Sequence, residues 1–158
     1  MKGRSPLSLT PFRGSEDPAR FAAMLAPAHF GDEAAPREIL EQTRAFLEAN
    51  PRPDPWGSWL AWDGDTAVGV CSYKFPPDGA GAVEIAYGVF PAYRGRGYAR
   101  AIISALFDLA VRSGAATVFA LTLPEDNPSN GALRREGFAF AGEVTDPADG
   151  PVWRWERA

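Results

Sequence analysis

The 158 residues contain one cysteine, Cys71, and one histidine, His29. A single cysteine can neither close a disulfide within the chain nor form a cysteine-rich zinc cluster. A single histidine leaves no Ser-His-Asp triad and no multi-histidine site, so no metal is expected. Long apolar runs are missing too. No stretch of eighteen apolar residues occurs, and the amino-terminal MKGRSPLSLTPFRG lacks the apolar core of a secretion signal. The expectation is a cytoplasmic protein. Basic charge is in deficit, with 16 Lys+Arg against 20 Asp+Glu and a net charge of -4. The bulk field therefore attracts neither nucleic acid nor an anionic membrane, although a local basic patch can still hold an anion.

What is present suits one folded domain. A hydrophobic content of 46% with 12% aromatics argues against global disorder, and the length fits a single core. Fifteen prolines and sixteen glycines lie scattered between periodic segments and punctuate them. Residues 7–10 alternate like a strand, and Asp17-Pro18 opens a short helix over 19–25. Pro36 opens a longer helix, with Ile39, Thr43, Phe46 and Leu47 on its apolar side, ended by PRPDP at 51–55. Strands over 58–62 and 67–75 flank Asp63-Gly64-Asp65, a tight hairpin signal. The strand over 82–90 sets Val83, Ile85, Tyr87 and Val89 on one face and Glu84, Ala86 and Gly88 on the other. From Gly97 the period becomes helical, with Ile102, Ile103, Leu106 and Phe107 among the apolar positions and Gly114 as the stop. A strand over 117–123, a helix over 129–136 and strands over 138–144 and 152–156 complete a mixed α/β chain without internal repeats.

Residues 93–100, YRGRGYAR, carry the chemistry. A helix starting near Gly97 leaves its first backbone amides unpaired, and its dipole favours an anion there. Gly95 and Gly97 permit φ values that most residues avoid and let an anion come close to those amides. Arg94 and Arg96 can add guanidinium bonds to phosphate oxygens. The competing description is an exposed connection with Tyr98 as a surface anchor. The segment is neither a Walker loop, lacking its GK[ST] ending, nor a nucleotide-binding GxGxxG.

The surrounding segments decide between the two. EIAYGVFPAYRGRGYARAII, followed by PSNGALRREGF at 128–138, resembles the GNAT family of N-acetyltransferases, and more narrowly its members similar to the ribosomal-protein N-terminal acetyltransferases. The likeness runs from Leu7 through Trp155. Arg94, Gly97 and Ala99 take the family's Arg/Gln-x-x-Gly-x-Gly/Ala positions, and Ser129, Arg135, Gly137 and Phe138 fit the helix and strand that follow. The resemblance implies a single-domain α/β fold over 1–158, with 7–156 as structured core. Its central sheet would be mixed and mostly antiparallel, with parallel strands splayed around the cofactor and helices flanking them. It also implies acetyl-CoA as acyl donor without a metal, its pyrophosphate on amides of Arg94, Gly95, Arg96, Gly97, Tyr98 and Ala99, and its pantetheine arm on the backbone of Val89. The acceptor would be the primary amine of a small molecule, a peptide or a protein N-terminus, attacking the thioester directly.

The same resemblance nominates Glu84 as the base that takes the amine proton; otherwise Glu84 is a solvent-facing residue at a strand start. Ser129 would bond near the CoA sulfur or orient water; otherwise it caps a helix. Relatives often carry a tyrosine on the last helix as general acid, but Leu133 stands there, and Asp126 replaces an asparagine that Asn127 could supply from one position on. These departures keep a noncatalytic acyl-CoA-binding or regulatory domain as the alternative. Trp59 and Trp62, three apart, cannot share a strand face, whereas Trp153 and Trp155 do. Aromatic strands of this kind offer a surface for a homodimer. His29 reads as a loop or packing residue.

Overall fold

In residues 7–158, the part of the chain that the computed structural model describes, local pattern becomes seven strands and four α-helices. Residues 1–6 of the expected domain span lie outside the described residues. In chain order the elements are β1 Ser8–Pro11, α1 Pro18–Leu25, α2 Ala35–Ala49, β2 Ser58–Asp63, β3 Thr66–Tyr73, β4 Ala82–Val89, α3 Tyr98–Arg112, β5 Thr117–Thr122, α4 Pro128–Arg135, β6 Ala139–Asp146 and β7 Gly150–Arg157. One seven-stranded sheet runs β1-β2-β3-β4-β5-β7-β6. Every pairing is antiparallel except β4 with β5. The fold is therefore α/β, with a mixed and mostly antiparallel sheet and flanking helices. None of the described helices is long and apolar enough to cross a membrane.

Two apolar layers hold the helices to the sheet. On one face, Ile102, Ile103 and Leu106 of α3 and Leu133 of α4, all fully buried, meet Val83, Ile85, Val118 and Trp155 of the strands. Burying each such large side chain stabilises the fold by about 1.5–3 kcal/mol. On the other face, Phe21 and Leu25 of α1 and Leu40 of α2 cover Phe12, Leu60 and Phe90. Trp59 packs on the first layer and Trp62 on the second, so the two indeed diverge, and the Trp62 indole donates to Thr10 Oγ1 at 2.8 Å. The centre of the α2 face differs from its sequence expectation. Leu40 is buried, while Phe46 is partly exposed under the Arg52 guanidinium, 4.8 Å from its ring centroid. A helical face broad enough to hold both positions 39 and 46 left the choice of centre to the partner layer.

Close approach of β3 to β4 fixes one glycine. A Cβ built on Gly69 would collide with the Gly88 carbonyl oxygen and press on Ile102 Cδ1 at 3.1 Å. Gly69→Ala is expected to cost about 1–3 kcal/mol by overpacking, measurable as a lowered thermal midpoint of the purified variant.

Candidate active site

The parallel pairing of β4 with β5 is short. It joins Ala82 to Thr117, Val83 to Val118 and Glu84 to Phe119, and then ends, although β4 continues to Val89. Beyond Glu84 the strands part. On its other edge β4 stays paired to β3, where the Lys74 amide donates to the Glu84 carbonyl and the Phe90 amide to the Val68 carbonyl. Because backbone groups alternate along a strand, the even-numbered residues of β4 face β3. The amides of Tyr87 and Val89 face the opening. The Val89 carbonyl takes a bond from Arg94 Nε at 3.2 Å.

The opening leads to the start of α3. Gly97 is its N-cap residue at φ 83°, Gly95 lies at φ 76°, and no side chain caps the helix. Its first intrahelical bond is Ala101 N to Gly97 O at 3.3 Å. The amides ahead of that bond thus sit at the positive end of a fifteen-residue helix. A Cβ on Gly95 or Gly97 would meet nothing within 4 Å, so both glycines answer to backbone angle and leave open space over the turn. A cavity of about 580 Å³ occupies this place, running from Tyr87, Gly88 and Val89 past Arg94, Gly95 and Gly97 to Ser129 and Arg135. Arg100 also lines it, held by Glu136 at 2.9 Å. An extended strand edge, an uncapped helix start and several guanidinium groups are the partners that an amide-containing arm ending in a diphosphate needs.

Of the residues singled out in the sequence, Val89, Arg94, Gly95, Gly97, Tyr98, Ala99 and Ser129 line this cavity. The buried Tyr98 side chain donates from its hydroxyl to Asp63 Oδ2 at 2.5 Å. Arg96 and Asn127 are not among the lining residues. Arg96 reaches over the Tyr93 ring at 6.0 Å. Asn127 caps α4, its Oδ1 accepting from the Asn130 amide at 2.9 Å. Capping thus falls to Asn127, and Ser129, two residues on, directs its Oγ across the cavity to the Tyr87 hydroxyl at 2.6 Å. Tyr87 does not match the position of the relatives' acid tyrosine in the sequence, but its parity with Val89 puts it on the strand face that borders the cavity. Asn130 was missed altogether. It is buried, and its amide joins the Thr122 hydroxyl, the Trp155 indole (3.0 Å) and the carbonyls of Glu125 (2.5 Å) and Leu123 (3.4 Å).

Glu84 lies on the opposite face of β4 from Tyr87 and Val89. It is buried beside Phe119, with Lys74 Nζ 3.8 Å from its carboxylate. Burial pushes its carboxyl above the ordinary range; Lys74 acts against the shift and Asp146 adds to it. Two residues further along the same face, Ala86 and Gly88 join Thr43, Ser58 and Ser72 around a second cavity of about 290 Å³, which also touches Tyr87. Tyr87 and Gly88 thus border both cavities. Since the folded carboxyl holds its proton more tightly than the unfolded one, ionising Glu84 weakens the fold as pH rises from about 4 through its raised value. Glu84→Gln should remove that loss, gaining in thermal midpoint over wild type across this window and keeping a constant difference above it. Cys71 is no rival nucleophile, since burial pushes its thiol up to about 12. Among the described residues no three of His, Cys, Asp and Glu gather in a way that could hold a metal ion.

The family pattern described as the acetyltransferase (GNAT) family matches residues 20–138. The chain belongs to the GNAT family. At the level of that family it is an acetyl-CoA-dependent acyltransferase of amines. Among solved structures, GNAT-like folds recur at low identity. A putative GNAT-family acetyltransferase from Bordetella pertussis is 23% identical, covering 99% of this chain and 98% of its own, with a TM-score of 0.65. An acetyl transferase from Salmonella typhimurium that modifies the N-terminal serine of ribosomal protein L7/L12 is 16% identical over 97% and 95%, with a TM-score of 0.68. AAC(6')-Ib in complex with paromomycin and acetyl-CoA is 17% identical over 98% and 94%, with a TM-score of 0.73. No curated protein matches the chain significantly.

Proposed function

We propose that this GNAT protein transfers the acetyl group of acetyl-CoA to the primary amine of a peptide or protein N-terminus, along the lines of the ribosomal-protein acetyltransferases. The observation that carries the reading is the break in β4–β5 pairing after Glu84, which exposes the Tyr87 and Val89 amides beside an uncapped α3 start. The pantetheine arm would lie along Val89, and the diphosphate would rest on amides from Gly95 to Ala99, with Arg94 and Arg135 close by. Acetyl-CoA supplies the activated acyl group. The acceptor would enter from the opposite face, through the cavity of Ser58, Ser72 and Gly88, and reach the thioester beside Tyr87 and Gly88, which border both cavities.

Glu84 is the proton acceptor in this scheme. Its burial brings the carboxyl closer to the pH at which an amine must be deprotonated, which favours a general base. Its position short of Ala86 on the acceptor face, roughly 7 Å back along the strand, suits transfer through a water. Glu84→Gln should leave acetyl-CoA affinity unchanged and lower turnover about 10²-fold near neutral pH. An equal turnover would remove Glu84 as base.

The test of the function is an acceptor screen read by mass spectrometry, offering Ser-initiated peptides and intact protein termini beside spermidine and an aminoglycoside. Enzyme-dependent addition of one acetyl group to the peptides establishes the reading, and addition to the small amines alone replaces it with small-molecule acetylation. One observation favours a noncatalytic alternative: Leu133, fully buried, offers no hydroxyl where relatives often have one. Acetyl-CoA binding with no transfer to any acceptor would support it.

A further inference from the structure

We propose that the hydrogen-bonded hydroxyl pair Tyr87–Ser129 is the acid that protonates the departing CoA sulfur. The proposal rests on the acetyl-transfer reading above. Two hydroxyl groups joined by one bond hold two protons, of which the bond uses one. Whichever oxygen donates within the pair, one O–H is left over, and both side chains line the same cavity. They come from different elements, β4 and α4, and meet across 42 residues of chain, on the side of β4 where the Tyr87 and Val89 amides face the opening. Asn130 fixes the serine side of the pair. Its buried amide ties the first turn of α4 to Thr122 of β5 and Trp155 of β7, so Ser129 is presented by an anchored helix start.

The chemistry suits a phenol. A thiolate leaving group takes a proton from a group of comparable acidity, and an unperturbed tyrosine at about 10 is such a group, whereas a lone serine is not. Burial raises Tyr87 further, ahead of the opposing effect of its bond to Ser129, and keeps it protonated at neutral pH. The acceptor nitrogen lone pair forms the C–N bond to the acetyl carbon, and the C–S bond breaks with its electrons on sulfur. The spare O–H of the pair then delivers its proton to that sulfur. When that proton comes from Ser129, the Tyr87 proton refills the serine. The phenolate left behind regains, through water, the proton that Glu84 took from the amine, so base and acid are both reset. Amide and CoA thiol are the only products, and no oxidant or reductant is needed.

The test uses CoA itself and needs no acceptor. Full-length protein saturated with CoA is titrated by NMR at the CoA methylene that carries the sulfur, for wild type, Tyr87→Phe, Ser129→Ala and the double variant. In wild type the bound thiol is expected to ionise about one pH unit below free CoA, because a hydrogen bond to the charged form favours it. Each single variant should keep part of that shift and the double variant none. Desulfo-CoA, lacking the sulfur, should bind all four proteins within twofold by calorimetry. With the acceptor that the screen identifies, Tyr87→Phe should lower kcat about 10²-fold and move the KM for acetyl-CoA less than threefold. An unshifted thiol in wild type, an equal shift in the double variant, or loss of desulfo-CoA binding in the variants would overturn the proposal while leaving acetyl transfer standing. Failure of wild type to bind CoA would overturn both.

Discussion

Replacing Gly97 by valine should raise the Kd for acetyl-CoA at least about 100-fold in a calorimetric titration. Gly97 holds φ 83° as the cap residue of α3, in the left-handed region. An L-residue there costs about 1–2 kcal/mol, and a β-branched one more. The chain has two responses. It can keep the angle and carry the strain, or relax toward negative φ and rotate the amides of Tyr98 and Ala99 away from the diphosphate. Binding suffers only in the second case, and a loss of about 3 kcal/mol corresponds to roughly 100-fold. Gly150→Val separates the two. Gly150 also has positive φ (73°) with open space around it, but it opens β7, paired with Asp146 and outside the cavity lining. That variant should lose stability comparably and keep its affinity. Equal affinities in wild type and Gly97→Val would remove the turn as the diphosphate site.

Asn130→Ala is expected to lower stability by about 3 kcal/mol, or roughly 6–12 °C in thermal midpoint for a chain of this size. The donor-only indole of Trp155 and the Thr122 hydroxyl both approach Oδ1, so the amide nitrogen must face the carbonyls of Glu125 and Leu123. Truncation leaves those carbonyls short of a donor and the Trp155 N–H with only Thr122, 3.2 Å away. Such losses in a buried site cost about 1–3 kcal/mol per group. The α4 start should loosen as well, so acetyl-CoA affinity falls with stability. A midpoint within 2 °C of wild type would show the network to be dispensable.

The contrast between Gly97 and Asn130 shows which parts were legible in the sequence. Gly97 sits in a local pattern: an alternating strand, a proline, two glycines and a helix with apolar period all fall within 84–103. Chain neighbours fix that geometry, so the glycine turn and the α3 face could be read directly. Asn130 owes its role to Thr122 and Trp155, the latter 25 residues away in the chain. No window of sequence contains that contact. Tyr87 and Ser129 are the same case, since parity told which face Tyr87 occupies but not that a serine from α4 would meet it there. Glu84 shows how the environment reverses an expectation. A charged residue at a strand start looks solvent-facing, yet Phe119 of β5 and Lys74, the residue after β3, close over it. The resemblance to relatives pointed to Ser129 and Glu84, while their partners and burial came only from the fold.

Ala86 and Val89, on opposite faces of β4, border different cavities, so under the proposed function the strand would work as a partition whose two sides carry different reagents. Inserting one alanine between Glu84 and Tyr87 would add no charge and little bulk, yet turn every later side chain of β4 to the other room. The phenol would then stand among the acceptor's hydroxyls while the donor's channel lost its acid. Loss of turnover after such an insertion, with the fold kept, would measure how far one residue's worth of register governs the meeting of two substrates.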